Sequence, residues 1–373
     1  MVLDIDDVAA LLSEVASFAR ERIVCVTERP ETPISHNTLI DLSTEAAELG
    51  LIPSEAEPEF GIWAHCDQAA AMAFNVGFLQ HIGYANTGIA FAWHRASLAR
   101  KIACELGMNV SNQDVLDTSL VTTGHYGLAQ AQLGKFLSAN SEEADTSIIT
   151  DWLDREHHQT TMVAPASWET LLWPVWRNDA ISWEMVSRKE ALTTLCRAQH
   201  GFDELNSFLV CHHQKNKPIF HVTPKDSRAF YERALKLDMI GLLSIGAGAI
   251  NRAWDYAYEY ANIRKQGGKM IAHHAAVQHM LGDIRMTRHH AENALHQLTC
   301  PVNDLSLSKV AALRAAMHPM FCHAANQAMQ VHGGIGYMRD AGLEKIVRDQ
   351  NMLKLLAGGL REIPLLLAEL NEG

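Results

Sequence analysis

The chain has 373 residues, about half of them apolar, and its 31 Lys+Arg against 43 Asp+Glu give a formal net charge of −12. That length supports a sizeable core in two or three domains or one multilayer unit, and the negative balance argues against nucleic acid or an anionic membrane as the main partner. Seven cysteines, odd in number and without a CxxC pair, fit a reducing compartment, so a cytoplasmic location is expected.

Residues 1–115 read as helical. "DDVAALLSEVASFARERI" (6–23) carries apolar residues at helical spacing. This N-terminus is acidic and has neither a basic segment nor an apolar core ahead of a cleavage site, so it does not read as a signal peptide. Residues 67–107 read as two or more buried helices broken near Asn86–Gly88. Residues 116–222 change texture. "TSLVTTG", "TSIITDWL", "TTMVAPASW", "AISWEMVS" and "PIFHVT" are short β-branched or aromatic runs between polar, Gly or Pro turns, as in an antiparallel sheet domain. From 223 to 373 long helical patterns return, with Asp226 and Ser227 as candidate N-caps for the first, and they suggest a four-helix bundle. The apolar run Met239–Ile250 is too short to cross a bilayer, and no membrane span is expected. The class is α+β, ordered helical, β, helical.

Several chemistries are absent from the sequence. No GxGxxG follows a strand, and neither GxxxxGK[ST] nor GxSxG occurs. Four adjacent histidine pairs occur, at 157–158, 212–213, 273–274 and 289–290. Neighbouring residues on a helix point about 100° apart, and no HExxH accompanies the pairs, so no metal site is expected. The alternating charges of "GLEKIVRD" (342–349) read by themselves as a solvated helix face.

Two stretches carry a more specific pattern. One is "YANIRKQGGKMIAHHAAVQHMLGDI" (260–284). The other is "MQVHGGIGYMRDAGLEKIVRDQ" (329–350), continued by "NMLKLLAGGLREI" to Ile363. Their content and separation resemble the acyl-CoA dehydrogenase family, with its YAxxRxQFGxxI segment, its later QxxGGxGY turn and a final helix closing in Arg-Asp before a glycine turn. The resemblance is strong over about 228–365, weaker over 70–125 and poor through 130–222.

The resemblance implies an N-terminal helical domain, a middle antiparallel β-domain and a C-terminal four-helix bundle. It also implies FAD as cofactor and α,β-dehydrogenation of an acyl-CoA, in which a carboxylate takes the α-proton and the flavin takes the β-hydrogen as hydride. An electron-transferring flavoprotein or similar acceptor, and a homo- or hetero-oligomer, dimer or tetramer, are the implied partners. Arg264 and Gln266 fall on the family positions that meet the FAD diphosphate and adenosine. Gln330, Gly333 and Gly334 fall on those that cradle a neighbouring subunit's FAD. Thr122 in "LVTTGHYG" stands near the family's threonine beside the flavin ring, whereas Trp152 lies in an unmatched "TDWLD" and reads as a core tryptophan.

The chain departs from the family in its chemistry. Ala357 occupies the position of the usual catalytic glutamate. A minority of relatives carry that glutamate on the long helix before the RxQ segment, and counting back from Arg264 puts Asp238 there; its apolar neighbours suit a carboxyl with a raised pKa. Glu362 matches a common structural glutamate. Met239 replaces an arginine that holds CoA, Gly267 replaces a phenylalanine, and the middle-domain signatures are missing. Three functions follow: an acyl-CoA dehydrogenase, a non-catalytic or half-site subunit of a heteromeric one, or a flavin-dependent oxidase or monooxygenase on the same fold.

Overall fold

The computed structural model describes residues 5–29, 31–54, 61–108, 115–120, 133–137, 158–178, 180–196, 200–212 and 217–370. Helix α1 (Ile5–Phe18) runs into a π-helical turn (Ala19–Val24), and α2 (His36–Glu48) follows. Ser35 caps α2 by accepting from the Thr38 N–H at 3.1 Å. Helices α3 (Ala69–Ala85) and α4 (Thr87–Glu105) meet at Asn86, whose extended backbone ends one helix while its side chain accepts from Ile89 N–H at 3.0 Å and starts the next. Helix α4 is buried along nearly its whole length.

The middle region carries strands β1 (Thr118–Leu120), β2 (His158–Ala164), β3 (Thr170–Arg177), β4 (Ala180–Ser187), β5 (Leu192–Leu195), β6 (Asn206–His212) and β7 (Phe220–Val222), with a short helix α5 (Leu133–Leu137) between the first two. One sheet has the order β1-β3-β4-β7 and a second the order β2-β6-β5. The pairing is antiparallel except that β1 runs parallel to β3, Thr118 facing Thr170. The middle region is thus antiparallel apart from this one edge, where about 50 intervening residues supply the crossover that parallel pairing needs. Strand β3 contains Pro174, which would weaken a reading of it as a strand. Its described pairing with β1 stops at Leu172, so among the described residues no ladder on that side reaches the proline. Trp168, Leu171, Trp173, Val175, Val186, Phe208 and Val210 form a separate core of this region.

Helix α6 (Ser227–Ile263) is the spine of the molecule, and Asp226 caps it by accepting from Ala229 N–H at 3.0 Å. Helices α7 (Ala275–His296), α8 (Leu307–Val331) and α9 (Leu343–Leu353) pack around it, and α10 (Gly359–Glu369) lies on α8 and α5. The N-terminal helices α3 and α4 also pack on α6, so the helical ends of the chain share one core. A Cβ on Gly248 would stand 2.2 Å from Gln80 O and 2.8 Å from Tyr84 N, so glycine is what lets the α3 and α6 backbones touch. Helix α6 is long and apolar enough to cross a membrane by length and composition, but its apolar stretch is almost wholly buried within the protein. Trp183 of β4 meets Phe230 edge-on and Tyr231 at a tilt, with ring centroids 6.1 and 6.2 Å apart, and so ties the first sheet to this spine.

Candidate functional site

Helix α6 ends at Arg264, whose N–H still bonds Tyr260 O at 3.0 Å. The chain then turns back as a two-residue ribbon, β8 (Lys265–Gln266) against β9 (Lys269–Met270), through Gly267 and Gly268 at φ +60° and +81°. The end of α8 lies beside it: the Tyr260 ring stacks on His332 at 4.2 Å, and Gly333–Tyr337 form a 3-10 turn. Between the ribbon and this turn is a cavity of about 770 Å³, and Arg264, Gln266, Gln330, Gly333 and Gly334 all line it. The structure thus brings the five C-terminal residues singled out by motif to one place.

The lining of this cavity has the donor chemistry that a diphosphate would need. Arg264 is exposed, with no ion pair to its guanidinium among the described residues, as a cation waiting for phosphate oxygens would be. A Cβ on either Gly333 or Gly334 would meet nothing within 4 Å. A helix end accounts for Gly333, which is left-handed at φ +60° just past the C-cap His332. Gly334 has no such requirement, and the space beside it is open to a ligand's approach. His274 donates through Nε2 to Gln266 O at 3.0 Å and stands 3.6 Å from where a Gly267 side chain would begin, so it braces the turn of the ribbon.

Asp238 lies elsewhere, fully buried in the N-terminal third of α6. Its Oδ1 is 3.0 Å from His94 Nε2 and 3.0 Å from Arg95 Nε, both on α4. Trp63 Nε1 donates to His94 Nδ1 at 3.0 Å, so Nε2 carries the imidazole proton and donates it to Asp238. Burial pulls the His94 pKa below its ordinary value, against the opposing pull of Asp238, which keeps the ring neutral. Asp238 does not line the cavity between the ribbon and the glycine turn. The sequence reading of Asp238 missed Trp63, His94 and Arg95, whose chain distance hides them. Two polar residues amid the apolar α4 pattern were the available signal.

The turn where relatives carry the glutamate is shaped by a second buried cation. Arg314 of α8 donates through Nη2 to the carbonyls of Leu353, at 3.1 Å, and Leu356, and its Nη1 lies 3.0 Å from His318 Nε2. Burial lowers Arg314 to about 9, with Asp238 opposing that shift, so it stays charged at neutral pH. Ala357 follows, buried, in the left-handed region at φ +46°, ahead of Gly358 and Gly359 at φ +106° and +58°. Glu362 stands in the first turn of α10. Its Oε2 is buried without a hydrogen-bond partner among the described residues, and burial raises its pKa to about 7.

Thr122 and Trp152 lie outside the described residues. The charged rhythm of α9 is not a solvated face. Lys345 is buried with Asp349 and Glu204 at 2.7 and 3.2 Å, Arg348 holds Asp203 through two bonds of 2.6 and 2.8 Å, and Asp349 accepts from Phe202 N–H at 2.7 Å. Burial would lower the Lys345 pKa, but the two carboxylates more than offset it and keep it above the ordinary value. These charges face inward because they seat the 202–204 turn on the bundle. Among the described residues no cluster of His, Cys, Asp and Glu has metal-holding geometry.

Residues 230–367 match the family model described as acyl-CoA dehydrogenase, C-terminal domain. The chain is 30% identical over 131 residues to 3-sulfinopropanoyl-CoA desulfinase of Paraburkholderia xenovorans, covering 35% of this chain and 34% of that protein. It is 31% identical over 145 residues to a probable acyl-CoA dehydrogenase of Bacillus subtilis, covering 38% of each. The matched stretch thus spans little more than a third of these relatives' length. The fold extends further: butyryl-CoA dehydrogenase from Megasphaera elsdenii superposes with a TM-score of 0.71 over 99% of this chain and 98% of that one, at 12% identity. The prolyl acyl carrier protein oxidase AnaB superposes with a TM-score of 0.73 over 97% and 98%, at 13% identity. Residues 230–367 thus carry the acyl-CoA dehydrogenase C-terminal domain, and the described chain has the fold of solved acyl-CoA dehydrogenases.

Proposed function

We propose that this protein is a flavin-dependent oxidoreductase that dehydrogenates an acyl-CoA thioester between its α and β carbons, with FAD as the flavin. One observation carries the reading: Arg264, Gln266, Gln330, Gly333 and Gly334, drawn from two separate motifs, line a single open cavity. Bound there, FAD would supply the hydride acceptor. The chain's own residues would hold it: Arg264 by charge on the diphosphate, Gln266 and Gln330 by side-chain amides, and the bare backbone at Gly333–Gly334 by close approach. Relatives named as acyl-CoA dehydrogenases, reductases and a desulfinase, each named for a CoA thioester, support that substrate class. Because the cavity opens outward, the flavin it holds would belong in part to a neighbouring subunit in a dimer or tetramer. An electron-transferring flavoprotein in the cytoplasm is the acceptor consistent with this chemistry.

A specific observation favours a second reading. Ala357 cannot act as a base, and Asp238 is enclosed by His94 and Arg95. A chain with an FAD-binding cavity and no free base at those two positions would serve as a half-site subunit beside a partner that supplies the base. The absorbance spectrum of the purified protein, recorded before and after addition of a panel of acyl-CoAs, separates the two. Bound flavin that bleaches with an acyl-CoA establishes the first. A colourless protein that acquires FAD only when co-expressed with a second family member establishes the half-site reading.

A further inference from the structure

The cavity between the ribbon and the glycine turn contains a hydrogen-bonding group that a diphosphate cannot use. His332 closes α8 immediately ahead of Gly333 and lines that cavity, half-buried. Two contacts fix its ring. It lies against Tyr260 with the planes 18° apart and the centroids at 4.2 Å, and Nδ1 donates to Ala328 O at 3.2 Å. In a neutral imidazole one nitrogen carries the proton and the other a lone pair. Nε2 is therefore an acceptor, and it has no partner among the described residues. The surroundings keep the ring neutral. No carboxylate lines the cavity. On the elements around it, Tyr260 and Arg264 end α6, Lys265 and Lys269 flank the ribbon, His274 precedes α7 and Tyr337 ends the glycine turn. Burial holds the His332 pKa below its ordinary value, with the Ala328 bond opposing that shift.

Donors and acceptor divide the cavity between them. Arg264 and the side-chain amides of Gln266 and Gln330 can donate to phosphate oxygens, whereas the Nε2 lone pair repels them. Resting on the reading of this cavity as an FAD site, we propose that His332 recognises the nucleoside end of the dinucleotide, accepting through Nε2 from a hydroxyl of its ribose or from the amino group of its adenine. Arg264 and His332 then orient the ligand together, one by its diphosphate and the other by its nucleoside. His332 is on this account a specificity-determining residue, because it requires a donor on the nucleoside. Protonation turns the acceptor into a donor, so binding needs the neutral ring and weakens as pH falls through its ionisation.

The test follows FAD binding by quenching of flavin fluorescence, on the full chain alone or with a co-expressed family member, whichever form takes up FAD. Wild type, His332→Phe and His332→Gln are titrated with FAD, with flavin hypoxanthine dinucleotide and with analogues lacking a ribose hydroxyl of the adenosine. His332→Phe keeps a ring against Tyr260 but has no acceptor, and His332→Gln keeps an acceptor that does not titrate. Thermal midpoints check that each variant is folded. The expected result is an FAD affinity about tenfold lower in His332→Phe and close to wild type in His332→Gln. One analogue, hypoxanthine or deoxyribose, should lose about the same factor on wild type and nothing further on His332→Phe, and that arm identifies the donor. From about pH 7 to pH 5 the wild-type affinity should fall about tenfold while both variants stay level. The proposal is overturned, and the cofactor reading stands, if His332→Phe binds FAD as wild type does, if no analogue loses affinity, or if wild-type affinity rises on acidification as a cation facing phosphate requires. If neither form of the protein takes up FAD, both fall.

Discussion

Asp238 shows how one residue's environment decides between two meanings of the same side chain. A carboxylate on an apolar helix can be a poised base or the anion that makes buried cations tolerable. Here Arg95 stands at 3.0 Å and Arg314 acts on it through the same interior. Removing one member of a buried charge cluster leaves its partners unpaired, a loss of roughly 3–5 kcal/mol. Asp238→Asn is therefore expected to lower stability by about that amount in urea unfolding; an unchanged midpoint with lost activity would instead mark Asp238 as a base. Glu362 has the opposite signature. Its folded pKa, about 7, lies above its ordinary value of 4.5, so the folded state holds the proton more tightly than the unfolded chain does. Its contribution is present below pH 4.5 and is lost as pH rises toward 7. Glu362→Gln should flatten that part of the stability–pH curve, and its melting temperature at pH 8 should equal or exceed that of wild type.

At the scale of elements, the cavity depends on two helix ends meeting. The end of α6 and the end of α8 are joined by the Tyr260–His332 stack, and the ribbon and the glycine turn hang from them. Gly334→Val is expected to leave the fold intact, since a side chain there meets nothing within 4 Å, while lowering the flavin content of the purified protein. Equal flavin content in the variant would remove this turn from the cofactor site. Arg264→Ala should weaken FAD binding at least about tenfold, the scale of one charge-assisted hydrogen bond, by titration of the apoprotein. Gly248→Ala tests packing alone. Its methyl would collide with the α3 backbone at Gln80 and Tyr84, so a destabilisation of about 1–3 kcal/mol is expected from a calorimetric melt.

Across the whole molecule, the two helical ends of the sequence share a core through α4 and α6, and that core contains neutral histidines. His94 is lowered by burial, and His318 is held well below its ordinary value by burial and by Arg314. Both must gain a proton only on unfolding, so their contribution is complete above pH 6.5 and is lost as pH falls below it. Urea midpoints should drop steadily from pH 7 to pH 5; a constant midpoint would show that the buried rings accommodate charge.

The residue types and spacings along the chain determined much by themselves. Helical periodicity, the β-branched runs of 116–222 and the N-cap at Asp226 are local properties, and local properties are written in adjacent residues. The two C-terminal motifs pointed to Arg264, Gln266, Gln330, Gly333 and Gly334 before any geometry was known. Only the tertiary structure showed that these five face one cavity, because that depends on where two helices end in space. Only the tertiary structure placed Trp63, His94, Arg95 and Arg314 around Asp238 and its turn, and turned the charges of α9 inward onto the 202–204 turn. Electrostatic partners are chosen by proximity in three dimensions across long stretches of chain, and neither periodicity nor spacing encodes that proximity.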